Sequence, residues 1–244
     1  MSIRITWFRR VAAMLLDPSG TARVTVQDPD PGGVALALVT LGLALGAAAL
    51  PGQLAALNEA LAPVGQSALD LHRQAMQSGL RRVIVADRLM LPPTALLAAG
   101  LVVVVSDPML VLPAVRRRGL WAIVLLGLAP LLVQEIGELA LTYLAVPTEP
   151  TPGDAVGLGN RFVSGPLLLW RGQGVAPRWL EVLNARLNLV TLWCVVLWVI
   201  GLRVVDGGRL RSWHVAVPLT SLGIAGVVTW MMTPLVMAAL LGKP

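Results

Sequence analysis

The chain has 244 residues, 56% of them apolar and 13% charged, with a mean hydropathy of +0.76. A soluble domain carries about 25% charged residues, so the composition excludes an ordinary soluble fold and predicts a polytopic membrane protein. The net charge of +6 does not argue for a nucleic-acid partner, because the arginines gather at the ends of apolar runs instead of forming one stripe.

Residues 2–16 put Ile3, Trp7, Val11, Met14 and Leu15 on one helical face, with Arg4 and Arg9 off it. This pattern predicts an amphipathic helix on the cytoplasmic leaflet. Trp7, Arg9 and Arg10 are its membrane-surface residues, the indole at headgroup level and the arginines reaching phosphates. The alternative is a cytoplasmic helix packed on the underside of the bundle. The apolar stretch before Asp17-Pro18 is too short for the core of a signal peptide, so membrane entry falls to the later spans. Residues 15–33 read as a link to the first span, for which Asp30 and Pro31 supply an N-cap and a first helical residue. Residues 1–32 are therefore a cytoplasmic leader and 33–241 a bundle.

Five apolar runs follow, at about 33–50, 93–114, 120–145, 187–205 and 214–241, so the expected fold is an all-α bundle of five transmembrane helices. The first run holds Gly42 and Gly46, a GxxxG pair that lets backbones approach closely. Its expected use is packing within the bundle, with a dimer contact as the alternative. Residues 51–91 form a long connection with helical periodicity broken at Pro63 and Gly65. The second run contains Asp107-Pro108, where proline removes a backbone hydrogen bond and predicts a kink. It ends at Arg116, Arg117 and Arg118. The third carries Gln134, Glu135 and Glu138 in its second half. Residues 146–178 are rich in proline and glycine and read as the second long outer loop. The fourth run ends at Arg203, before a turn with Gly207, Gly208, Arg209 and Arg211. The last is interrupted by Pro218 and Pro234.

The arginine-rich turns at 116–118 and 203–211 are short. The loops 51–91 and 146–186 hold four arginines each, diluted over long segments where the bias counts less. The short turns are therefore cytoplasmic, the N-terminus cytoplasmic and the C-terminus outside. The near absence of lysine and the Ala/Leu/Val/Gly bias suggest a GC-rich bacterial genome, hence a bacterial inner membrane.

Charge inside a bilayer costs roughly 3 kcal/mol on insertion scales and marks a functional hypothesis. Asp107, Glu135 and Glu138 are the candidate intramembrane polar site. Glu135 and Glu138 share a helical face, whereas Asp107 lies at another depth. The functional reading is a proton- or cation-handling group. The structural reading pairs the glutamates with Arg88 or Arg186 and makes Asp107 part of a helix kink. No nucleophile–base motif such as GxSG or HExxH occurs, and Ser106 beside Asp107 has no histidine near it in sequence. The segment EIGEL (135–139) superficially resembles the glutamate pairs of intramembrane CAAX-type proteases but lacks their histidine-bearing motifs. His72 and His214 fall on opposite sides of the predicted topology, so no zinc site is expected. The lone Cys194 can form no internal disulfide. The expectation is a non-enzymatic protein without cofactor or metal.

Three features taken together resemble the bacterial branch of the Yip1-like membrane proteins: the leader with Asp17-Pro18, the tryptophan-bearing run WLEVLNARLNLVTLWCVVLWVIGL (179–202) with its Gly201-Leu202 exit, and the short basic loop before a final span. That family implies a five-span bundle with a cytoplasmic N-terminus. Its eukaryotic members bind prenylated GTPases through a longer N-terminal region and a tyrosine-bearing motif, and neither occurs here, where Tyr143 is the sole tyrosine. Some bacterial members accompany ABC-type exporters. The resemblance thus implies a scaffold or accessory subunit, with the lipid bilayer and other membrane proteins, ABC exporter subunits among them, as partners. The alternative is a small permease or channel using Asp107, Glu135 and Glu138.

Overall fold

A computed structural model describes residues 3–61, 93–110, 114–144 and 188–241. These residues form eight helices and no strand: α1 (Ile3–Leu16), α2 (Pro18–Gln27), α3 (Pro31–Leu61), α4 (Pro93–Leu110), α5 (Ala114–Leu126), α6 (Ala129–Leu144), α7 (Leu189–Val205) and α8 (Ser212–Leu241). Three stretches are long and apolar enough to cross a membrane, Pro31–Gly52, Arg116–Gly137 and Ser212–Thr229. Two shorter apolar helices, Ala95–Leu110 and Leu189–Val205, accompany them.

The leader departs most from its sequence reading. Residues 18–27, expected as a link, are a helix. Asp17 ends α1 and caps α2, its Oδ1 accepting from Gly20 N at 2.9 Å, with Pro18 as the first helical residue. Asp30 does the same for α3, accepting from Gly33 N at 2.9 Å. A short carboxylate takes an orphan amide and proline has none to satisfy, so each Asp-Pro starts a new helix. The first span also runs further than expected, through Pro51 to Leu61.

α1 and α2 belong to the same core as the apolar helices. Trp7, Val11 and Met14 of α1 and Ala22 of α2 are buried with Leu38, Ile123, Leu197 and Leu202. α1 packs on α3 and α6, α2 on α5 and α7, and α4 on α8. In α2 the buried Thr25 hydroxyl donates to Thr21 O at 2.8 Å, which removes an unpaired group from this interface.

The third apolar run is broken into α5 and α6. Pro130 has no N–H to give Leu126. The chain makes tighter turns there, Leu128 N bonding Leu125 O and Leu131 N bonding Leu128 O. The shift leaves the Val124 carbonyl without the amide four residues on. The Trp198 indole, fully buried in α7, donates to that carbonyl at 2.8 Å. Gly127 makes room for the ring, since a Cβ there would overlap the indole. Gly201, one turn further along α7, lies against Ile123 in the same way. α5 and α7 therefore run antiparallel in a fixed register, with the end of α7 beside the start of α5.

Each end of α7 is capped. Asn188 Oδ1 accepts from Thr191 N at 2.8 Å while Thr191 Oγ1 accepts from Asn188 N at 3.1 Å, a reciprocal capping box. At the other end Gly208 N reaches Arg203 O at 2.7 Å and Gly207 N reaches Val204 O at 3.3 Å, the Schellman pattern. It requires a left-handed residue after the cap, and Gly207 supplies it with φ +80°.

Trp198→Phe keeps the ring's bulk but orphans the Val124 carbonyl. It should lower stability by about 1–3 kcal/mol, read as thermal unfolding of the detergent-solubilised protein. Gly127→Ala should cost more than Gly223→Ala, where a new Cβ would meet nothing; equal midpoints would contradict the packing at the break.

Candidate functional site

Most of the charged groups of the described residues gather at one end of the bundle. Gly119 at the start of α5 abuts Val26 at the end of α2, and the α5–α7 register brings the end of α7 to the same level. The α2–α3 corner joins them there. Three polar clusters occupy this end.

The first centres on Arg10. Its side chain is 10% exposed and its guanidinium lies 4.5 Å from the centre of the Trp7 ring. It donates to Asp28 Oδ2 at 2.5 Å and to Asp28 O at 2.7 Å. Trp7 is itself buried, against Gly33 at the start of α3. Of the three residues expected at the membrane surface, Trp7 and Arg10 therefore turn inward and Arg9 faces out. The apolar face of α1 finds its partner in α3 and α6, which suits the packed alternative, and the cation–π contact and the Asp28 pair offset the cost of desolvating Arg10.

The second is Asp107. It lies in α4, with Pro108 inside the same helix. Asp107 Oδ1 accepts from Arg117 Nε at 2.8 Å, with the arginine side chain 55% exposed. An arginine of the following helix, not one from a remote loop, thus engages Asp107.

The third was not foreseen. His214, in the first turn of α8, is fully buried. Its Nδ1 accepts from Arg211 N at 3.0 Å, in the manner of a capping box, which leaves the ring proton on Nε2. Nε2 stands 3.2 Å from Asp206 Oδ2, and Arg211 Nε stands 3.1 Å from the same oxygen. Neither N–H points along the line to the oxygen, so these are close electrostatic contacts and not aligned hydrogen bonds. Trp213 meets the imidazole edge-on at 4.1 Å. The cluster holds the α7–α8 turn together. A histidine two residues into an apolar run, eight residues after a helix-ending aspartate, was the available signal.

Of the remaining charged candidates, only Glu135 has a described side chain. Glu135 lies half-buried in α6, 18 residues beyond Arg117, about 27 Å along a helix. The side chain of Glu138, and Arg88 and Arg186, lie outside the described residues, as does His72. Between Arg117 and Glu135, Leu120, Ile123, Leu126, Leu128, Leu131 and Leu132 are buried in the core. Gly46 is buried and Gly42 half-buried within α3, the helix that packs on α5 and α6. Tyr143 of α6 donates to Ala48 O at 2.7 Å, one residue from the carbonyl that Pro51 deprives of its helical donor. Among the described residues no group of three or more His, Cys, Asp or Glu could hold a metal ion. Comparisons with known families, characterised proteins and solved structures give no match to this chain.

Arg10→Ala should destabilise the protein by about 1.5–3 kcal/mol, the range for a hydrogen bond to a charged group, whereas Arg9→Ala should change it little. Asp107→Asn should fall within about 1 kcal/mol of wild type, as for exposed ion pairs. Thermal or denaturant unfolding in one detergent orders the three.

Proposed function

We propose that the chain is a non-enzymatic integral membrane scaffold or accessory subunit. The observation that carries this reading is the use of its polar groups. Arg10–Asp28, Asp107–Arg117 and Asp206–Arg211–His214 each close a helix junction at one end of the bundle, and a densely packed apolar core separates them from Glu135. A permease working through Asp107 and the glutamates needs a wet path between them, and the described residues between Arg117 and Glu135 in sequence are mostly buried and apolar.

The proposal keeps five spans. α4 has 18 residues and α7 has 17, about 27 and 26 Å of helix, close to the roughly 30 Å hydrocarbon core. The arginine-rich end then faces the cytoplasm of a bacterial inner membrane and the C-terminus lies outside. The resemblance to Yip1-like proteins makes a transport complex of the ABC-exporter kind the first partner to test.

Topology is checked by cysteine labelling in a Cys194→Ala background. Ser19→Cys and Arg209→Cys should both resist an impermeant maleimide in intact spheroplasts, while Asp154→Cys should react. Labelling that separates positions 19 and 209 would contradict a shared cytoplasmic end.

The functional class is checked by purifying the full chain from its native membranes in mild detergent and by Asp107→Asn and Glu135→Gln. A scaffold should bring down a membrane partner in fixed stoichiometry, and both variants should retain the partner and support growth wherever the deletion does not. Full loss of function in a Glu135→Gln protein of unchanged thermal stability would promote the permease reading.

A further inference from the structure

α1 turns the face expected to lie on the membrane into the protein, and α1 and α2 both expose large side chains on their outward side. Phe8 is 40%, Val24 51% and Leu16 88% exposed. Arg9 and Arg23 are exposed beside them, and neither makes an ion pair among the described residues. The carboxylates that could neutralise them at this end are otherwise engaged. Asp17 and Asp30 cap helices, Asp28 holds Arg10, Asp107 holds Arg117, and Asp206 faces Arg211 and His214. The outward side thus carries two arginines without an ion-pair partner among the described residues, each next to a large exposed apolar side chain. It sits on a helix pair packed against α3, α5 and α7, at the end of the bundle where apolar helices meet water.

We propose that this outward side of α1–α2 binds anionic phospholipid headgroups, with Arg9 and Arg23 on the phosphates and Phe8, Leu16 and Val24 in the upper acyl region. The inference rests on the membrane reading above. Arginine suits the task because its planar fork bonds two phosphate oxygens at once. Apolar side chains between the arginines give a lipid surface an advantage over a soluble polyanion.

The test uses the full-length protein in a neutral maltoside detergent, with phosphatidylglycerol or phosphatidylcholine supplied in mixed micelles and retained lipid counted by native mass spectrometry. Wild type should retain phosphatidylglycerol preferentially. Arg9→Gln and Arg23→Gln should each weaken its half-saturation about fivefold and the double variant about 25-fold, following the usual worth of one arginine near an anionic surface. Arg9→Lys/Arg23→Lys should keep most of the binding. Phe8→Ser/Val24→Ser should weaken it without abolishing the preference for the anionic lipid. Equal retention of the two lipids, or phosphatidylglycerol binding unchanged in the folded glutamine variants, would overturn the proposal. So would displacement of the lipid by equimolar inorganic phosphate or by a short single-stranded oligodeoxynucleotide, which would assign the face to free phosphate or to nucleic acid. Failure of the membrane reading is separable, because the chain would then be recovered without detergent in the soluble fraction.

Discussion

The hydrogen bond from the Trp198 indole to the Val124 carbonyl sets the geometry on which the bundle depends. A bilayer offers no water to a backbone group that loses its partner, so a broken helix must find a donor within the protein. Pro130 creates the break, Gly127 opens the space, and α7 delivers the donor at 2.8 Å. The same contact fixes the α5–α7 register, because Gly201 then meets Ile123. With that register set, the end of α7 stands level with the start of α5, and the polar ends of both helices share one layer with α2 and the α2–α3 corner.

The polar layer solves a related problem. A junction between helices leaves unpaired amides, carbonyls and charges, and several of the described junctions are closed by side chains from the helices that meet there. Asp17 and Asp30 cap α2 and α3, Asp107 takes Arg117 across a short connection, and His214 turns back on the Arg211 amide while its other nitrogen faces Asp206. In these contacts the polar groups brace the bundle. That economy is the physical basis for reading the protein as a scaffold.

α1 shows how one apolar pattern leaves two neighbours open. Its apolar face, Trp7, Val11 and Met14, was legible from helical spacing, but spacing cannot say whether lipid or protein covers that face. Both remove the same apolar area from water. The shape of α3 and α6 decided it, and the buried Arg10 follows from that choice. The helix at 18–27 was missed although Asp17-Pro18 carries the same signature as Asp30-Pro31, because its threonines and small residues made it look like a linker. Their hydroxyl and methyl groups suit a close interface, as Thr25 bonding within its own helix illustrates.

The sequence by itself determined the class of the molecule. Low charge and long apolar runs admit only helices that satisfy their own backbone, and the arginines mark where those runs end. It also marked the start of α3 at Asp30-Pro31, since a cap is a local event between residues three apart. What the tertiary structure decided is which polar groups meet. Asp107 with Arg117, Arg10 with Asp28, and His214 with Asp206 are each formed by the way one helix returns beside another. The indole of Trp198 reaches a carbonyl 74 residues away. Periodicity records which side of a helix is apolar, while the identity of the facing helix depends on packing between distant segments, which no local pattern encodes.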